Sequence, residues 1–341
     1  MLTRFACATL YLVSGCALPR AEMADRVVIT MGTQLGVRVT ATTCSQAEEA
    51  AEASIQAVLA ADQRWSSWRA DSVLRRLHDT AVGVPTPVDA RFLAGLHLAR
   101  RWSDRTDGAF DPAIGRLLEA WGVRRGPAPS TAPGAATIAL ARAASGMQHF
   151  LVGKDSVTRQ RNALLAEGGF VKGLAIDDAI RTARRIDGVA AVNFDFGGQL
   201  AWWYRDGEPR SICVANPDQR DMVIGSIELP PSGSAATSGN SERAIHVGGK
   251  RYSHILDPRT GRPVDDWGAV TVVVTGDDYA GCAADCLSTA LFVLGPIEGL
   301  KLATELPGVE ALFLERNAGC FRSHRTPGLR GSIPLESPLP H

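Results

Sequence analysis

The stretch that most limits what this chain can fold into is Ala269-Val270-Thr271-Val272-Val273-Val274-Thr275, followed by Ala280-Gly281-Cys282-Ala283-Ala284-Asp285-Cys286-Leu287-Ser288-Thr289-Ala290 and an apolar run to Leu294. The first half is β-branched and reads as a buried strand, and the second has helical length and composition. Small residues crowd that helix, and one carboxylate stands among them. A helix places Asp285 and Thr289 at i and i+4 on one face. So placed, a carboxylate and a hydroxyl offer two oxygens to a hard cation or to a hydrogen-bond donor. The same spacing suits a cap or a satisfied polar pair on a core helix, and spacing alone does not choose between them.

The chain has 341 residues with 36 basic and 36 acidic side chains, so no bulk field points to nucleic acid, and partners must be argued from sites. An apolar fraction of 45% is ample for a sizeable core, and the reading here is one domain with insertions. The first residues, Met1-Leu2-Thr3-Arg4 and then Phe5 to Val13, have the basic-then-apolar order of a secretory signal. Beyond them nothing approaches the roughly 20 consecutive apolar residues of a membrane helix. Val13-Ser14-Gly15-Cys16 looks like a lipobox, which predicts cleavage before Cys16 and a lipid anchor on that cysteine. The alternative is an ordinary signal cleaved near Ala21. The expected layout is a signal over 1–22, a single domain over 23–330 and a C-terminal tail over 331–341. Outside the signal the cysteines are Cys44, Cys213, Cys282, Cys286 and Cys320, an odd number without CxxC spacing. They form neither a zinc signature nor a complete disulfide framework. Cys282 and Cys286, one turn apart beside Asp285, read as small core residues.

Val27 to Thr40 reads as two β segments joined at a Gly-containing turn. Ser45 with Glu48 forms a capping-box pattern ahead of an Ala-rich helix running to about Arg64. Two aromatics, Trp65 and Trp68, precede a second cap and a short helix to Leu77, and a helical period follows from Asp89 to Thr106. Gly108-Ala109-Phe110-Asp111-Pro112 frames an aspartate in a loop, and Gly126 to Gly134 is a surface loop. Glu167-Gly168-Gly169-Phe170-Val171-Lys172-Gly173 is a glycine-rich turn leading into a helix from Leu174 to Ile186. Its glycines let backbone groups approach a ligand, and its lysine suits a phosphate. The spacing matches neither a P-loop nor GxGxxG. Short strands follow around 190–200, 202–204, 211–214 and 223–229. Strands grouped between helices predict an α+β fold with mixed or antiparallel sheets flanked by helices. His254 stands at a strand end before the Asp257-Pro258-Arg259-Thr260-Gly261 turn. It is either a general base near neutral pH or a core histidine donating to a carbonyl, while Asp257 reads as the turn's cap.

Six segments now add up. MGTQLGVRV, WSSWRADSVLRRL, GAFDPAIGRLLEAWG, EGGFVKGLAID, TSGNSER with YSHILDPRTGRPV, and AADCLSTALFVLG resemble, in order and from Met31 to about Leu294, the ApbE family of FAD:protein FMN transferases. The resemblance implies an enzyme that binds FAD with Mg2+ or another divalent cation, splits the pyrophosphate and transfers FMN through a phosphoester to a threonine of a target protein, releasing AMP. It implies Asp285, Thr289 and the backbone carbonyl of Gly169 as metal ligands and His254 as the base. It places flavin contacts at Met31, Trp68, Ala109, Phe110, Asp111, Lys172 and Ile255. The target implied is an exported or membrane-bound electron-transfer protein, and the chain itself is expected at the periplasmic face of the inner membrane, anchored by lipid at Cys16. The sequence departs from the family where Ala166 replaces a flavin-contacting aspartate, so that contact is lost or taken over by Glu167. Ser241, Gln199 and Ala113 are further departures. Two other activities share these residues: an FAD pyrophosphatase releasing FMN and AMP, and a non-enzymatic flavin-binding lipoprotein.

Overall fold

The computed structural model describes residues 21–123, 131–207, 210–240, 244–247, 250–276 and 278–338. The signal with Cys16, most of the Gly126–Gly134 loop and Ser241 lie outside the described residues. The chain opens with β1 (Glu22–Thr30) and β2 (Thr33–Ala41), an antiparallel hairpin. Its turn, Met31-Gly32, has positive φ at both positions, 48° and 73°, as a two-residue hairpin turn requires. The cap of helix α1 (Cys44–Trp65) stands two residues before the expected one: Thr43 accepts the Gln46 N–H at 3.3 Å and Gln46 Oε1 accepts the Thr43 N–H at 3.1 Å. Ser45 and Glu48 lie inside the helix instead. Next come α2 (Val73–Asp79) behind Ser72, β3 (Pro85–Pro87), and α3 (Ala90–Arg105) behind Asp89. Short pieces follow, α4 (Gly115–Ala120), α5 (Ala135–Ala143), β4 (Phe150–Val152) and β5 (Ser156–Arg159).

The helix α6 (Val171–Ala183) starts three residues earlier than the sequence suggested, so Lys172 lies in its first turn rather than in the preceding loop. Strands β6 (Val189–Phe196), β7 (Gln199–Tyr204), β8 (Arg210–Ala215), β9 (Val223–Leu229) and β10 (Ser232–Gly239) follow. After them come β11 (Ala244–Val247), β12 (Lys250–Ser253), β13 (Leu256–Asp257), β14 (Arg262–Pro263) and β15 (Gly268–Thr275). The last long helix is α7 (Ala280–Glu305), interrupted at Gly295 (φ 75°) and Pro296, so its regular part ends at Leu294 as expected. By length and hydropathy α7 could cross a membrane, but two thirds of its most apolar window is buried inside the protein, which makes it a core helix. The chain closes with β16 (Val309–Asn317), β17 (Cys320–Arg325), β18 (Gly331–Ser332) and β19 (Glu336–Pro338). Residues 331–338, expected as a tail, therefore supply two strands: β18 pairs with β9 and β19 with β17.

One nine-stranded sheet in the order β1-β2-β6-β7-β10-β15-β16-β17-β19 organises the fold, with antiparallel pairing throughout. The α+β expectation holds. Helices α1 and α6 bury Ala50, Ile55, Val58, Ile176 and Ile180 against Leu35, Val37, Val39 and Phe194 of the sheet. Farther along, α7 buries Cys282, Cys286, Leu287 and Leu291 with Val270, Val272 and Val274. The opposite side of β15 presents Val273, which clusters with Ile227 of β9 and Val214 of β8. Both faces of β15 are covered, which is why its sequence reads as valine without polar alternation.

Candidate active site

Helices α6 and α7 cross in contact, and their sequences mesh as two antiparallel stripes with a spacing of four. Gly173 and Asp177 lie on one stripe, with Gly169 in the turn just before α6, and Thr289, Asp285 and Gly281 lie on the other. At the first rung, a Cβ built on Gly169 would stand 3.1 Å from Thr289 Oγ1 and 3.3 Å from the Phe110 ring. At the second, the Gly173 N–H donates to Asp285 Oδ2 at 3.2 Å. At the third, Asp177 accepts the Gly281 N–H at 2.7 Å and the Cys282 N–H at 2.8 Å. Glycine makes the approach possible, because a Cβ on Gly173 would fall 2.2 Å from the Gly281 carbonyl oxygen, a separation no side chain tolerates.

Asp285 is 6% exposed, and burial raises its pKa, while the Lys172 charge and the Gly173 N–H oppose the rise. Thr289 Oγ1 donates back to the Asp285 carbonyl at 3.3 Å, which keeps the hydroxyl on the Asp285 side of the helix. The donors gathered here are one carboxylate, one hydroxyl and the backbone of Gly169. An all-oxygen set of this kind fits a hard divalent cation. Among the described residues no three His, Cys, Asp or Glu side chains converge on a metal-sized site, so a cation here would lean on neutral oxygens and on its own ligands. Cys282 and Cys286 are fully buried with their sulfurs 4.0 Å apart, and burial pushes the Cys286 thiol well up. They are core residues, as the sequence suggested.

His254 is tied to the same end of the sheet by a relay of small polar side chains. Ser238 of β10 donates to Ser288 Oγ on α7 at 3.0 Å. Two residues on, Asn240 accepts from Ser253 at 2.6 Å, and Ser253 accepts the Ile255 N–H at 3.0 Å. His254 is half-buried between the residues thus fixed. Downstream, the turn is set by Asp257, which accepts the backbone and guanidinium N–H groups of Arg259 at 2.9–3.0 Å, and by Trp121, whose indole donates to the Gly261 carbonyl at 2.8 Å. Asp257 is the turn's cap, in line with its sequence context.

Of the positions expected to meet a flavin, Phe110 stands against Gly169. Ala109, Phe110 and Ile255 are buried in one cluster with Phe170, and Met31 packs against it. Trp65 is core, stacked on Phe92 with centroids 4.1 Å apart, whereas Trp68 is 65% exposed. The loop carrying Trp68 is drawn to Gly169 by Ser67, which donates to Glu167 Oε1 at 2.5 Å. Asp111 turns its carboxylate into the fold, accepting the Ala113 N–H at 2.8 Å and the Met147 N–H at 3.2 Å, and burial raises its pKa. That side chain shapes the loop, leaving backbone groups for a ligand. A cleft of about 420 Å³ opens beside it, lined by Gly108, Asp111, Arg142, Gln148, Pro258 and Arg259, and so borders both the Asp111 loop and the turn after His254.

Sequence reading missed Asp177 and the serine relay. Asp177 is 4% exposed, and burial pushes its pKa up to about 7 although the Cys282 and Gly281 N–H groups and the Arg181 charge oppose the rise. The available signal was its place four residues after Gly173 on an apolar helix face. Gln199 was flagged only as a departure, yet its amide nitrogen donates to the Gly281 carbonyl at 2.8 Å.

Known proteins similar to this chain agree with one another in family. The ApbE family profile matches residues 31–313. A protein named FAD:protein FMN transferase from Klebsiella pneumoniae is 30% identical over 94% of this chain and 93% of its own length. Among solved structures, the apo flavinyl transferase ApbE of Pseudomonas stutzeri superposes with a TM-score of 0.77 at 29% identity, covering 90% of this chain and 95% of that one. The ApbE protein of Thermotoga maritima gives 0.78 at 28% identity, covering 90% and 97%.

Proposed function

The chain belongs to the ApbE family, and from that premise we propose that it is an FAD:protein FMN transferase acting on a threonine of an exported acceptor protein. The observation that carries the reading is the first rung of the α6–α7 crossing, where Phe110, Gly169 and Thr289, far apart in sequence, meet within a few ångströms, with Asp285 one rung away. Asp285, Thr289 and the Gly169 carbonyl would hold a divalent cation, Mg2+ by the hardness of its ligands. When bound it supplies charge neutralisation for the FAD pyrophosphate.

The chain's own residues supply positioning and proton transfer. Phe110, Ile255 and Met31 form an apolar wall for the flavin half, Trp68 offers an aromatic face and Lys172 a positive charge to the phosphates. The acceptor hydroxyl attacks the phosphorus on the FMN side. Its proton passes to a ring nitrogen of His254, a P–O bond to the new ester forms, and the P–O bond to AMP breaks, with AMP carrying away the bridging oxygen. His254 suits the role because both flanking residues are fixed while its own side chain is half-buried.

Incubation with FAD, Mg2+ and an acceptor carrying a Ser/Thr-Ala-Thr-type motif, followed by intact mass spectrometry, tests the proposal. Transfer predicts an acceptor heavier by one FMN, with AMP released. AMP and free FMN beside an unmodified acceptor would make the protein a pyrophosphatase, and unchanged FAD would make it a flavin carrier. The lipobox-like Val13-Ser14-Gly15-Cys16 supports anchoring at the periplasmic face of the inner membrane, close to electron-transfer acceptors. Cys16→Ala should then release the protein from the membrane fraction, and unaltered partitioning would contradict the anchor.

A further inference from the structure

We propose that Asp177 is the positioning residue of the cation site, fixing the rotation and depth of α7 and hence where Asp285 and Thr289 stand relative to Gly169. The inference rests on the assignment of those three residues as ligands. Tyr279, which precedes α7, has φ 59° and gives no side-chain cap, so the first N–H groups of the helix must find partners elsewhere. Asp177 provides them from another helix, with one carboxylate oxygen on Gly281 and the other on Cys282. Two bonds to consecutive amides fix a helix about its own axis, where a single bond would leave it free to turn. Gly281, Asp285 and Thr289 follow one another at four-residue intervals on the same face, so a rotation at Gly281 is carried along the stripe to both proposed ligands.

The clamp is tight on every side. A Cβ on Gly281 would stand 2.6 Å from the Gly173 carbonyl oxygen and 2.7 Å from Asp177 Oδ1, so α7 sits in a slot cut to a glycine's outline. Gln199 closes the slot from the sheet by donating to the Gly281 carbonyl. Among the described residues the oxygen of that buried amide has no hydrogen-bond partner. Asp177 therefore acts on the ligands through the backbone of α7, touching neither them nor the ion.

The test is a titration of the intact, FAD-free protein with Mn2+ alone, followed by the electron paramagnetic resonance of the free ion. Asp177→Asn, nearly isosteric, should fold as the wild type by circular dichroism and bind Mn2+ about tenfold more weakly, the usual scale for an orienting group. In transfer assays its half-saturating Mg2+ should rise by a similar factor, while kcat at saturating Mg2+ stays within about threefold. Asp177→Glu, which keeps the charge but lengthens the arm, should also weaken Mn2+ binding, and it carries the test if Asp177→Asn does not fold. Wild-type affinity in Asp177→Glu would show that charge rather than position matters and overturn the proposal. Ile55→Ala, in the separate α1–sheet core, controls for general loss of stability and should bind Mn2+ as the wild type does. An equal loss of affinity in Ile55→Ala, or none in Asp177→Asn, would overturn this inference alone. Absence of Mn2+ binding by the wild type would overturn the ligand assignment and this inference with it.

Discussion

Asp285 and Trp68 belong to one candidate site and live in opposite surroundings. The carboxylate is 6% exposed, on a helix held at two turns of its stripe by α6; the indole is 65% exposed, on a loop tied through Ser66 and Ser67. The proposed cation end of the site is thus part of the hydrophobic core together with Ala109, Phe110 and Ile255, and of the proposed flavin contacts Trp68, at the recognition end, is the one on the surface. The division has a physical basis. A charge-neutralising centre is most effective where water is excluded and the ligands cannot reorganise, while an aromatic platform needs only a face and a hinge. Sequence departures from the family follow the same line in part: Ala166 lies beside the Trp68 loop's partner Glu167, but Gln199 intrudes on the buried clamp.

Four measurements sharpen or break this contrast. The largest effect is expected at the seam between the two ends: His254→Ala should slow transfer by about 10²- to 10⁴-fold, the range for losing a general base, with FAD affinity unchanged in an equilibrium titration. Loss of FAD binding in that variant would move His254 to the recognition end.

A pH effect of a few kcal/mol should follow from Asp177. Its pKa is pushed up to about 7 by burial, above the ordinary value of about 3.9. The folded state therefore holds this proton more tightly than the unfolded state. The stabilisation is full below about pH 4 and is lost as pH rises to about 7, at up to about 1.4 kcal/mol per unit. Denaturant unfolding at several pH values should show the wild type losing stability relative to Asp177→Asn across that window, and parallel curves would place Asp177 in a less buried setting.

Two glycines five residues apart, one before α6 and one in it, give a smaller, sharper contrast. Gly173→Ala should cost about 1–3 kcal/mol of stability by forcing the helices apart, whereas Gly168→Ala, with no atom within 4 Å of the new Cβ, should unfold like the wild type. Equal midpoints for the two would mean the crossing is looser than the rungs indicate. The smallest effect belongs to the rim. Trp68→Ala should raise KM for FAD about tenfold, the scale of one lost aromatic stacking contact, without changing kcat or the unfolding midpoint.

Much of this was legible in the chain. The valine run announced a strand covered on both sides, and the i, i+4 pair on α7 was visible before any fold was known. The pairing of the stripes was not, because the register between two helices is fixed by tertiary contact and leaves only the glycine spacing as its trace. Asp177 was hidden by its neighbour: Asp178 is partly exposed and pairs with Arg91 and Arg181, so the Asp-Asp dipeptide reads as helix surface. The α1 cap shifted because Thr43-x-x-Gln46 and Ser45-x-x-Glu48 offer overlapping capping boxes, and the chain's reversal directly after β2 favours the earlier one.

The most direct test of the account is Mn2+ binding by the wild type and by Asp285→Ala, each folded and free of FAD. The account predicts a single site in the wild type and an affinity weaker by about 100-fold or more in the variant, as expected when the only charged ligand is removed. Equal Mn2+ affinity in the two proteins would show that the α6–α7 crossing is structural and that the cation, if the reaction uses one, is held elsewhere.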